Sequence, residues 1–126
     1  MSAESDVKRL RDELVKLREQ IGRESSTVAN KRKSAANARA QASRSKSPST
    51  VQSKLREAVR QESAAVASEK KRAELERKVA SKEKALATAQ GKSDKEQASA
   101  QKRAIDGLKK QADQAARRFN APLELE

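Results

Sequence analysis

The sequence predicts an all-α protein: an antiparallel coiled-coil helical hairpin plus a shorter third helix, an elongated bundle that associates with further copies of itself. Three observations predict it. Apolar residues recur at heptad spacing, helix breakers are confined to two places, and the composition suits long helices better than a compact core. Of the 126 residues 23 are Ala, and the larger apolar residues reduce to nine Leu, seven Val, two Ile, Met1 and Phe119. A buried Ala methyl gains only a fraction of the roughly 1.5–3 kcal/mol that a buried Leu or Val supplies. A multi-layer core of such residues could hardly offset chain entropy, whereas long helices sharing a narrow seam could.

The first helix is expected over about 3–45. Val7, Leu10, Leu14, Leu17 and Ile21 alternate at three- and four-residue steps, and the phase continues through Val28, Ala35, Ala38 and Ala42. Glu24 and Lys31 fall where core residues are due, so the seam changes character near Glu24. A turn follows at about Ser45 to Ser47, because Pro48 suits a first helical position and Ser47 can cap the free amides after it. The second helix, about 48–90, carries Val51, Leu55, Ala58, Val59, Val66, Leu75, Val79 and Leu86.

Gly91, followed by the Ser93-x-x-Glu96 capping box, favours a helix stop and restart over a continuous helix, in which Gly91 would cost about 1 kcal/mol. The third helix, about 93–119, then presents Ala98, Gln101, Ile105, Leu108, Ala112, Ala115 and Phe119, with Pro122 closing it and a tail over 120–126. All of 1–126 reads as one elongated module.

If the chain folds back at Ser47, residues whose numbers add to about 95 or 96 lie opposite each other. Leu10 then meets Leu86, Leu17 meets Val79, Ile21 meets Leu75, Val28 meets Val66 or Ala67, and Ala38 meets Ala58. Large faces large and small faces small. The expected helix-association seam is therefore Val7, Leu10, Leu14, Leu17, Ile21, Val28, Leu55, Val66, Leu75, Val79, Leu86, Ile105, Leu108 and Phe119.

The net charge is +12 and unevenly spread. No acid occurs between Glu24 and Glu57, while that interval holds Lys31, Arg32, Lys33, Arg39, Arg44, Lys46, Lys54 and Arg56. In a hairpin this interval lies at one end, a basic tip. Such charge usually does no more than solvate a thin coiled coil. It could also attract an anionic partner such as duplex nucleic acid, bound through its backbone and sensitive to salt. Phe119 is the sole aromatic residue, so base stacking on a single strand is not expected.

Cysteine and histidine are both absent, which removes disulfides, thiolate nucleophiles and imidazole ligands. No cofactor, metal or small-molecule substrate is expected, and no catalytic residue is assigned. Acid pairs such as Asp12–Glu13 or Glu74–Glu76 lack a pocket to tune them. Gly91-Lys92-Ser93 resembles the end of a phosphate-binding loop, but the position that loop needs as its first glycine is Leu86. With no long apolar run and no bulky membrane anchors, a soluble cytoplasmic protein is expected, and membrane binding is not.

Ser45-Lys46-Ser47-Pro48-Ser49-Thr50, followed by Ser53-Lys54-Leu55-Arg56-Glu57, resembles the hairpin turn in coiled-coil N-terminal regions of bacterial defence proteins that continue into an effector domain, often of the Toll/interleukin-receptor type. The resemblance implies an oligomerising or sensing segment whose catalytic partner lies outside this chain, and it assigns no functional residue. The expected function is thus non-enzymatic: a coiled-coil scaffold for protein–protein association. The alternative is a basic hairpin tip for an anionic partner.

Overall fold

The computed structural model describes residues 2–120. Helix α1 spans Ala3–Arg44 and helix α2 spans Pro48–Asn120. At 1.5 Å per residue they are about 60 Å and about 110 Å long. Among the described residues no helix is long and apolar enough to cross a membrane.

Each helix end has a local cause. Ser2 caps α1, its hydroxyl accepting from the Ser5 amide at 3.2 Å, and Glu4 and Asp6 in the first turn complement the helix dipole. Ser45 leaves helical geometry at φ −84° and ψ 142°, while its amide still donates to the Ala42 carbonyl at 3.3 Å. Ser47 precedes a proline and is kept out of the helical region, so α2 starts at Pro48, with the Val51 amide donating to the Ser47 carbonyl at 3.0 Å. The turn is the one expected from the sequence, residues 45–47.

The two helices pack against each other as an antiparallel pair. Val7 and Leu10 cluster with Ala89 and Leu86, and Ala35 and Ala38 cluster with Ala58, so facing residue numbers add to about 96. That register also sets Leu17 against Val79 and Ile21 against Leu75, as the sequence predicts. The α1 seam runs Ala3, Val7, Leu10, Leu14, Leu17, Ile21, Glu24, Val28, Lys31, Ala35, Ala38, Ala42 and Ser45, all buried or half-buried. It is an unbroken heptad that absorbs both Glu24 and Lys31.

The α2 seam departs from expectation. The buried or half-buried line is Val51, Lys54, Ala58, Gln61, Ala65, Ser68, Arg72, Leu75, Val79, Lys82, Leu86, Ala89 and Ser93, also a strict heptad. Leu55 and Val66, expected in this seam, are both 46% exposed and stand outside it, and Val28 faces Ser68 in place of Val66 or Ala67. The reason lies in the facing surface. Ala35, Ala38, Ala58 and Ala65 are only 1–2% exposed, and a methyl excludes water that completely only where two backbones come close. A Leu or Val between them would force the helices apart. Lys54, Arg72 and Lys82 can sit at seam positions by laying their stems along the groove with their charges outward.

The third helix is not formed as a separate element, because α2 runs through Gly91 without interruption. Gly91 is exposed, and a Cβ there would meet nothing within 4 Å. Ala89 on one side of it and Ser93 on the other are 9% and 5% exposed against α1. Packing on both sides holds the helical path at a propensity cost of about 1 kcal/mol, and Ser93 is committed to the seam in place of capping. Past Ser93, α1 has ended, and residues 94–119 are exposed on every side. This overhang extends about 40 Å beyond the paired segment. Ile105, Leu108 and Phe119, expected in a bundle, are 54%, 66% and 85% exposed. The sequence expectations for 121–126, including Pro122, lie outside the described residues.

Substitutions to Ala at four positions test this fold. Leu14, 3% exposed in the seam, should lose about 2–5 kcal/mol on change to Ala, with a smaller loss at half-buried Leu17 and within 0.5 kcal/mol at Val59, read in urea melts. Gly91→Ala should raise stability by about 1 kcal/mol and increase helicity by circular dichroism. A loss at Gly91→Ala would mean that the glycine ends a helix.

Candidate functional site

Two surfaces of the rod are candidates for contact: the basic tip around the turn and the outward face of α2. The tip follows directly from the register. The acid-free part of α1 lies beside the early turns of α2, so residues 25–71 sit together and hold eleven Lys and Arg against three acids. Residues 2–24, near the other end, hold six of each. Charge is therefore polarised along the rod.

The tip cations do not form one free cluster. Arg32 pairs with Glu69, Arg39 with Glu62, and Lys54 with Glu57 at 3.4 Å. Lys31 is half-buried in the seam. Lys33, Arg44, Lys46 and Arg56 are exposed and take part in no ion pair among the described residues. The interval is basic in sequence, but Glu57, Glu62 and Glu69 arrive from the second helix and neutralise part of it.

These pairs belong to a longer column. Arg11 donates to Gln90 at 3.0 Å and Arg18 to Glu83 at 2.8 Å, then Arg32 pairs with Glu69 and Arg39 with Glu62. Each rung is a whole number of heptads from the last on both helices, which keeps it on one flank of the seam. Ser25 occupies the missing rung, where it accepts from Arg72 at 3.3 Å. On the opposite flank, Lys82 Nζ lies 2.8 Å from Glu13 Oε2, close enough for a charge contact but off the angle of a well-formed hydrogen bond. Sequence reading missed this column, although its signal was present as arginines and glutamates at heptad intervals on two helices of opposite direction.

The flanking charges shift their own titration. Arg39 holds the Glu62 carboxyl below its ordinary value, and Glu62 in turn raises Arg39. Lys82, ahead of Arg9, lowers Glu13. All of these side chains are partly exposed, so each pair contributes little on its own.

The outward face of α2 carries the second candidate. The exposed large apolar residues of α2 are Leu55, Val59, Val66, Ile105, Leu108 and Phe119. Taking the seam as heptad positions a and d, Val59, Val66 and Leu108 occupy b, Ile105 and Phe119 occupy f, and Leu55 occupies e. These three positions are neighbours on one side of a helix, and their centre lies about 130° round from the seam. α1 cannot reach it. Among the described residues no group of three or more acids could hold a metal ion. The surface hollows, such as the one lined by Ser49, Gln52, Leu55, Arg56 and Val59, are open to solvent.

Comparison with family models, with curated proteins and with solved structures gives no match.

Because the folded pKa values of Glu13 and Glu62 are depressed, their contribution to stability is complete above the ordinary glutamate value of 4.5 and is lost as pH falls through the lower folded values. Thermal melts should show a lower Tm at about pH 3 than at about pH 6, with the drop reduced in Glu13→Gln/Glu62→Gln. An identical drop in that variant would assign the acid sensitivity elsewhere.

Proposed function

We propose that this chain is a non-enzymatic coiled-coil scaffold that associates with copies of itself. The observation that carries the reading is the collection of six large apolar side chains on one outward face of α2, from Leu55 to Phe119, with no helix among the described residues to cover them. Single exposed apolar residues are ordinary on any protein, but a line along one helix face is what a partner helix covers. The likeness of residues 45–57 to hairpins that precede effector domains supports the same reading, in which the rod brings together domains attached to it. The chain then contributes geometry, and its setting is cytoplasmic.

Light scattering on the purified chain across micromolar concentrations tests this. A dimeric or larger mass is expected, with the association weakened at least about tenfold, or 1.4 kcal/mol, in Ile105→Ser/Leu108→Ser. A monomeric, fully helical chain at every concentration would reject it.

A second reading is favoured by the excess of cations at the tip. Lys33, Arg44, Lys46 and Arg56 are free to meet the phosphates of duplex nucleic acid, in an interaction that counterion release would make strongly salt-dependent. Duplex DNA should then bind at low salt, weaken steeply at higher salt, and fail to bind Lys33→Glu/Arg44→Glu/Lys46→Glu/Arg56→Glu. No binding at low salt removes this reading.

A further inference from the structure

Resting on the self-association proposed above, we infer that two copies pair in parallel through the outward face of α2, with their turns at the same end. The basis is the charge on either side of the apolar line. Val59, Val66, Ala73, Ala80 and Ala87 all occupy position b and form one column along the outside of the helix. All five are exposed. The column to one side, position e, is acidic: Glu62, Glu69, Glu76 and Glu83. The column to the other side, position f, is basic at Arg56, Lys70, Arg77 and Lys84. The local sequence shows this as Glu69-Lys70, Glu76-Arg77 and Glu83-Lys84, an acid followed by a base once per heptad.

Symmetry converts those columns into a direction. When two identical helices meet face to face in antiparallel fashion, the two-fold axis lies across them and sets e against e and f against f. Glutamates would then face glutamates, and the Lys and Arg column would face its own copy. When they run parallel, the two-fold axis lies along them and sets e of one copy against f of the other. Glu69 then faces the second copy's Lys70, Glu76 its Arg77, and Glu83 its Lys84, the arrangement by which flanking charges select orientation in coiled coils.

The remaining features fit the same arrangement. Alanines at three successive b positions allow two α2 helices to approach closely. The basic column takes part in no ion pair among the described residues at Lys70, Arg77 or Lys84. The acidic column already meets arginines of α1 at Glu62, Glu69 and Glu83, and each carboxylate has lone pairs left for a second donor. Asp94 and Gln101 interrupt the column where α1 ends, and Leu108 and Ala115 resume it, with Ile105, Ala112 and Phe119 alongside. The two α2 helices would form the centre of the assembly and each α1 would lie on its outside.

The chain has no cysteine, so single thiols report position without background. Ala73→Cys and Ala87→Cys should each cross-link to the same residue of a second copy under mild oxidation, whereas Asn37→Cys, on the exposed side of α1, should not. Ala73 and Ala87 are about 20 Å apart along the helix, so an antiparallel two-fold could bring together at most one of them. Lys70→Glu/Arg77→Glu/Lys84→Glu should weaken the dimer at least about tenfold with helicity and the thermal melt of the hairpin retained. A dimeric mass without self-cross-linking at both positions would overturn the parallel pairing and leave self-association standing. A monomeric mass throughout would overturn both.

Discussion

The short turn at Ser45–Ser47 constrains everything else in the rod. With only three residues outside helical geometry, α1 and α2 must run back along each other in a single register, the one in which facing residue numbers add to about 96. That register decides which side chains meet. It brings Leu10 to Leu86, places Ala38 against Ala58, and carries the arginines of α1 to the glutamates of α2. A slip of one heptad, to facing numbers that add to about 89, would preserve the charge ladder in form and would still set Leu10 against a large residue, Val79, but it would place Leu17 against Arg72 and Ile21 against Ser68, leaving those layers poorly filled. The turn and the graded seam therefore specify the same alignment independently.

Much of this was legible in the amino-acid order. The α1 heptad, the position of the turn and four of the five facing pairs follow from apolar spacing, proline position and side-chain size. What sequence reading misplaced was the α2 seam, because it followed the bulkiest aliphatics. Leu55 and Val66 look like core residues, and Lys54, Gln61 and Ser68 do not, yet the alanine face opposite requires small residues or flexible stems. Gly91 misled for a related reason. Its conformational freedom is a local property, while the burial of Ala89 and Ser93 against the first turns of α1 is a tertiary one, and the tertiary contacts outweigh a cost of about 1 kcal/mol. The basic tip was visible as an acid-free interval, but its partial neutralisation was not, since Glu62 and Glu69 lie far away in sequence.

Arginine does two kinds of work here. Arg18, Arg32 and Arg39 tie the two helices together across one flank, where each guanidinium meets a glutamate of α2. Arg44 and Arg56, together with Lys33 and Lys46, remain in water near the turn. The same residue type thus closes the hairpin in one place and leaves charge available in another, and the difference is whether the antiparallel register supplies an acid.

The gradient along the seam has a mechanical meaning. A hairpin resembles a zip whose fabric is sewn shut at one end: near the turn the strands cannot separate far, and little adhesion is needed to keep them together. At the other end nothing but side-chain contact opposes splaying, and there the chain places Val7, Leu10, Leu14 and Leu86. Thermal fraying should thus be suppressed where tethering is weakest, and the opening energy should be spread evenly from clasp to stitch.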